Sequence, residues 1–169
     1  MAPQPLDPQP LDNGARAATV RAMLLDFQAL MELSPRIRSM AVDGEVSLEN
    51  LGQLAQETEM PLSHAVASLA LTPDLQLKRE HETLVEVCIQ GCQTAGSVAT
   101  LQALLTERER RESEGLPGLD IKARPCLDAC FHSPVLKSQG PLGMHLHPRV
   151  SAQHVPELAA ALLDEQPDQ

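Results

Sequence analysis

The chain has 169 residues and a formal charge of −10, from 13 Lys and Arg against 23 Asp and Glu. That balance argues against nucleic acid and against an anionic membrane surface, whose phosphates would repel it, and points to a protein partner. No apolar run approaches the roughly 20 residues that span a bilayer, and the N-terminus lacks the basic start and apolar centre of a signal peptide, so no direct membrane insertion and a cytoplasmic location are expected. Phe27 and Phe131 are the only residues among Phe, Tyr and Trp, which makes the core aliphatic.

Residues 1–14 hold Pro-Gln-Pro-Leu-Asp twice and then Asn13-Gly14, a tract expected to stay a disordered, solvated tail. Residues 15–80 read as a helical N-terminal domain. Over 15–31 the apolar positions Val20, Met23, Leu24, Phe27, Leu30 and Met31 recur at three and four, which predicts an amphipathic helix. Pro35 interrupts the next stretch. Ser47 is the expected N-cap of a short helix with Leu48, Leu51, Leu54 and Ala55 inward, ending near Glu59. Pro61 opens another, with Leu62, Ala65, Val66, Leu69 and Ala70 on its buried face, and Thr72-Pro73-Asp74 ends it. This half carries no strand signal.

Residues 81–165 read differently. Thr83-Leu84-Val85-Glu86-Val87 is a β-prone run leading into Cys88, and 91–96 form a loop. Ser97 is the expected cap of a helix carried by Val98, Leu101, Leu104 and Leu105, and the charged run 107–114 is its solvated end. After the turn 115–118, Leu119-Asp120-Ile121-Lys122-Ala123 alternates into Cys126. Two further strands, 134–137 and 144–147, flank the turn 140–143 as a hairpin. A last helix starts at Ser151 or Gln153, with Val155, Leu158, Ala159 and Leu162 inward. The class is α+β: a short-helix region followed by βαβββα.

Both cysteine pairs follow strands. Cys88-Ile89-Gln90-Gly91-Cys92 and Cys126-Leu127-Asp128-Ala129-Cys130 each place three residues between their sulfurs, with Gly91, Ala95, Gly96 and Ala129 small enough for close backbone approach. In a reducing compartment such pairs are metal ligands or redox thiols rather than a disulfide framework. Soft thiolates on sharply bent backbone suit an iron–sulfur cluster. A structural zinc site takes four cysteines but favours a tighter knuckle, and dithiol redox chemistry usually uses two intervening residues; both stay open, as do four inert thiols. Among the histidines, His132 stands two residues beyond Cys130, close enough to tune or ligate a centre but expected to face solvent. His145 and His147 share a strand face, and His64 and His154 lie on helices. No dinucleotide fingerprint, P-loop or nucleophile elbow is present.

Helices first, then Val87-Cys88-Ile89-Gln90-Gly91-Cys92, Ala95-Gly96-Ser97, Cys126-Leu127-Asp128-Ala129-Cys130 and Ser133-Pro134-Val135: over roughly 20–163 this order resembles the thioredoxin-like [2Fe-2S] ferredoxin family. The layout is most similar to the NuoE-type subunits of NADH dehydrogenase and their counterparts in NAD-dependent formate dehydrogenases and hydrogenases. The resemblance implies a thioredoxin-like domain whose two loops clamp one [2Fe-2S] cluster through Cys88, Cys92, Cys126 and Cys130. It also implies a non-catalytic electron-transfer role beside a flavin (FMN) and NADH-binding subunit of the same complex. The alternative is a zinc-bound or cluster-free assembly subunit of the same fold. The first loop is one residue shorter than the family's usual four, and Ser68-Leu69-Ala70-Leu71 stands where its Phe-Tyr segment usually lies.

Overall fold

The computed structural model describes residues 25–141 and 143–164. The tail at 1–14 and most of the helix expected over 15–31 lie outside the described residues. Within them, helix begins only at Phe27. Asp26 is extended and caps α1 (Phe27–Glu32) by accepting the Gln28 and Ala29 N–H groups at 3.0 and 3.2 Å. Pro35 stands in the first turn of α2 (Ser34–Met40), where its missing N–H costs nothing. Ser47 caps α3 (Leu48–Glu57) through Asn50 N–H at 3.1 Å, and α4 (Leu62–Ala70) comes directly after Pro61.

Two strands absent from the sequence reading bracket α3 and α4. Glu45–Val46 (β1) and Gln76–Leu77 (β2) pair in parallel as a two-residue sheet. Two residues are too few for any periodicity to register.

The second half is built as expected, βαβββα: β3 (Leu84–Cys88), α5 (Ser97–Ser113), β4 (Asp120–Arg124), β5 (Leu136–Gly140), β6 (Gly143–His147) and α6 (Val155–Leu163). The sheet order is β4-β3-β5-β6. β3 pairs in parallel with β4 and antiparallel with β5, and β5 with β6, which is the thioredoxin-like arrangement of a βαβ unit joined to a ββα unit. The α+β class therefore stands on the strand order alone.

The register sorts the two faces. Val85, Ile121 and Ser138 line up across the sheet, as do Val87, Ala123 and Leu136, and all six are buried. α5 packs against β3 and β4, α6 against α5, and α4 against β4. One aliphatic core joins Leu30, Ile37, Leu51 and Leu54 of the first half to Val85, Leu101, Ile121 and Val155 of the second. Burial of such side chains contributes about 1.5–3 kcal/mol each. On the opposite face Glu86 lies between Lys137 (3.3 Å) and Arg124 (3.5 Å).

The charged run 107–114 is a solvated helix end only in part: Glu109, Arg110, Glu112, Ser113 and Glu114 are exposed, but one face of the run turns inward. Glu107, Arg108 and Arg111 are buried. Arg111 donates to the Pro117 carbonyl at 2.7 Å and pairs with Asp164. Arg108 donates to Glu112 at 2.6 Å, faces Asp120 at 3.4 Å and pairs with Glu80. Asp120 in turn accepts the N–H groups of Glu80 (3.0 Å) and His81 (3.1 Å), so the segment entering β3 is tied to the start of β4 and the end of α5. Among the described residues no helix is long and apolar enough to cross a membrane.

Candidate metal centre

β3 and β4 end together: Cys88 is the register partner of Arg124, and Ile89 N–H extends the ladder to the Arg124 carbonyl at 2.8 Å. Two residues past Arg124 comes Cys126, so one sheet end carries both loops. The first loop turns into a short 3-10 helix, Gln93–Ala95, and then Gly96 in the left-handed region at φ 94°. A side chain at that φ would be strained, which explains a glycine there. The second loop passes Asp128 at φ 55° into the 3-10 turn Cys130–His132.

All four cysteines are free thiols, and they split into an inner and an outer pair. Cys88 and Cys92 are buried against Val135, with Leu127 and Ala129 beside them; Cys126 and Cys130 are exposed. The Cys88 thiol donates to the Pro125 carbonyl at 3.6 Å, and Cys92 Sγ lies 3.1 Å from Ser133 Oγ. Cys126 Sγ accepts Asp128 N–H at 3.3 Å and stands 3.5 Å from the Asp128 carboxylate. The neighbouring Cys126 sulfur, with desolvation and Cys88 adding to it, pushes the Cys130 thiol above its ordinary value. A Cβ added to Gly91 would come 3.5 Å from Cys130 Sγ, so the first loop passes close against the outer sulfur.

Ser97, singled out by sequence as a cap, does not act as one: Gly96 holds that position, and the Ser97 hydroxyl is buried without a hydrogen-bond partner among the described residues. Ser97 N–H donates instead to the Cys92 carbonyl at 3.2 Å, so the first turn of α5 is spent on holding the inner loop. His132 is exposed, as expected, and its carbonyl accepts Arg149 N–H at 2.9 Å. His147 bonds Ser138 Oγ at 2.8 Å across the β5–β6 pair, with the His145 ring 6.4 Å away. Burial, then the charge of His145, lowers the His147 pKa. His154 is exposed, but His64 is half-buried, and burial lowers its pKa as well.

Sequence reasoning missed the roles of Ser133 and Asp128, whose oxygens lie within hydrogen-bond distance of a cysteine sulfur. Asp128 had a legible signal, since a short polar residue between paired cysteines tolerates positive φ. Ser133 had none: its partner Cys92 lies 41 positions away. It also missed the group formed by Glu80, His81 and Glu112, whose ligand atoms lie within 4.8 Å of one another. Arg108 already sits among these carboxylates as their counter-ion, which makes the group a brace for the chain rather than a cation cage.

No family model matches the chain, and no curated protein does. Solved structures do resemble it. The wild-type thioredoxin-like [2Fe-2S] ferredoxin from Aquifex aeolicus is 22% identical with a TM-score of 0.44, covering 50% of this chain and 88% of its own. A cysteine-to-serine variant of that ferredoxin is 22% identical with a TM-score of 0.44, covering 52% and 93% respectively. The strand order establishes the fold of this chain without help from these likenesses.

Proposed function

We propose that the chain is an electron-transfer subunit holding one [2Fe-2S] cluster through Cys88, Cys92, Cys126 and Cys130. One observation supports this reading: the two loops that carry the four free thiols leave the same sheet end, and Gly91 of the first lies close against Cys130 Sγ of the second. The donor set fits such a group, because four soft sulfurs can neutralise ferric charge and the loops are compact around them. When bound, the cluster would supply reversible one-electron storage. The chain's part is to orient and shield: Val135, Leu127 and Ala129 cover the inner sulfurs, and the exposed outer pair gives electrons a short way to a partner. The Asp128 N–H would donate to the Cys126 thiolate, and the positive N-terminal end of α5, which begins at the inner loop, would favour the added negative charge.

The resemblance in residue order supports a finer reading. The subunit serves an NAD(P)H-linked oxidoreductase in the cytoplasm and exchanges electrons with a flavin (FMN) and NADH-binding subunit. The chain has no nucleotide-binding motif of its own, so that cofactor belongs to the partner.

Anaerobic purification tests the cluster directly. A brown protein with two irons, two labile sulfides and a reduced-state EPR signal that changes on serine replacement of each cysteine is the expected result. A colourless sample with stoichiometric zinc overturns it. Co-purification with a flavin-bearing NADH oxidase tests the finer reading.

A further inference from the structure

One hydroxyl stands between the inner and outer loops. Ser133 Oγ is 3.1 Å from Cys92 Sγ and 2.8 Å from the Cys130 carbonyl. A serine has a single proton to give and two lone pairs to receive with. With Cys92 as a thiol, both contacts are satisfied: the S–H donates to Ser133 Oγ, and the Ser133 O–H donates to the Cys130 carbonyl. A metal-bound sulfur is a thiolate and has no proton. The same arrangement would then set sulfur lone pairs against oxygen lone pairs at 3.1 Å, in a place where Cys92 is fully buried and water cannot intervene.

The surroundings allow one inexpensive remedy. The Cys130 carbonyl also accepts the Ser133 N–H at 3.2 Å, so it keeps a donor if the hydroxyl turns away. The backbone on either side of Ser133 is fixed, His132 O by Arg149 N–H at 2.9 Å and Pro134 O by Val150 N–H at 3.0 Å. Only the hydroxyl torsion needs to change.

We propose that Ser133 is a two-position donor, bonded to the Cys130 carbonyl in the thiol state and to Cys92 Sγ once that sulfur binds metal, where it raises the reduction potential of the centre. The inference rests on the cluster reading proposed for these four thiols. No proton is transferred by Ser133: its own stays on oxygen, and the Cys92 proton leaves to solvent when metal binds. A hydrogen bond withdraws charge from sulfur and strengthens as the centre gains an electron, so it favours the reduced form. Ser133 acts through Cys92 and is therefore a positioning residue.

The test uses the full chain reconstituted anaerobically with ferrous iron and sulfide, as wild type, Ser133→Ala and Ser133→Thr. Two signals are read: the midpoint potential from an EPR-monitored titration, and the shift of the Fe–S stretching bands in the resonance Raman spectrum on exchange into heavy water. Ser133→Ala is expected to load iron, shift to a more negative potential and lose part of the isotope shift, and Ser133→Thr to restore both. Equal potentials and equal isotope shifts in wild type and Ser133→Ala overturn the inference while leaving the cluster reading standing. Should Ser133→Ala load poorly, Ser133→Val against the isosteric Ser133→Thr carries the same comparison; loading by the threonine variant alone supports the donor role. A wild type that takes up no iron and sulfide overturns the cluster reading and the inference with it.

Discussion

The two ends of the α5 and β-sheet unit are built on opposite plans. At the end where β3 begins, charged groups are buried and their bonds close within the chain: Arg108 meets Asp120, Glu112 and Glu80, and Asp120 also takes two backbone N–H groups. At the end where β3 stops, the polar contacts of Cys88, Cys92 and Cys126 are weak ones at 3.1–3.6 Å, and the outer pair is exposed. β3 joins the two ends in five residues. A closed network thus anchors the strand that presents an open set of ligands, so the ligand end need not supply its own rigidity.

The largest effect should come from breaking the closed end. Asp120→Ala or Arg108→Ala breaks a pair in which both partners are almost wholly buried and leaves the survivor only its more exposed partners, Glu80 and Glu112 for Arg108 or Arg79 for Asp120, so a loss of about 3 kcal/mol is expected in urea unfolding. Cys126→Ser at the open, exposed end should change the unfolding free energy of the metal-free chain by less than about 0.5 kcal/mol. Equal losses at both ends would erase the distinction.

Gly118→Ala probes the same anchor more gently. Its Cβ would fall 2.5 Å from the His81 ring, which must move away from Glu112 to make room. That ring is the far end of a part-exposed side chain and can turn aside, so the loss should stay within about 1 kcal/mol in the same denaturation curve, with iron binding retained.

Acid should weaken the sheet edge at β6, which belongs to neither end. Burial holds the His147 and His64 pKa values below the ordinary 6.5, so the folded chain binds fewer protons than the unfolded one. Stability is complete above about pH 6.5 and is lost as pH falls from there toward the lowered values. Melting temperature measured from about pH 7.5 to 5.5 should drop, and His147→Gln should flatten the slope. The opposite slope, or no change in the variant, would show that other groups govern the acid limb.

Two substitutions at the thiol end should leave stability almost untouched and sharpen the contrast. Asp128→Asn removes a carboxylate 3.5 Å from Cys126 Sγ, and a less negative surrounding should raise the midpoint potential of the reconstituted centre without moving the melting temperature. Phe131, beside Cys130, is 97% exposed, so Phe131→Ser should stay within about 0.5 kcal/mol of wild type. A larger loss would mean that the ring packs against the chain.

Much of the fold was legible because local chemistry and tertiary structure agree. The Ser47 cap, the helix start after Pro61 and the β3-α5-β4-β5-β6-α6 order come from caps, turns and alternation within a few residues. Legibility ended where a residue's role depends on a distant partner. Residues 107–114 look like a solvated face because charge ordinarily means exposure, but Arg108 finds Glu80 28 positions away, and Arg111 finds Asp164 at 53. Ser97 looks like a cap in sequence, yet the cap position falls on Gly96, whose left-handed backbone closes the 3-10 turn before α5.

The sequence by itself determined the α+β class, the element order of the second half and the four thiols on two loops, since strand alternation, helical spacing and cysteine pairing are all short-range patterns. Only the tertiary structure decided which thiols are inner and which outer, that Ser133 and Asp128 touch them, and that a buried ion network anchors β3. Those facts depend on strand register and on which face of a helix meets the core, and both are settled by contacts between segments far apart in the chain.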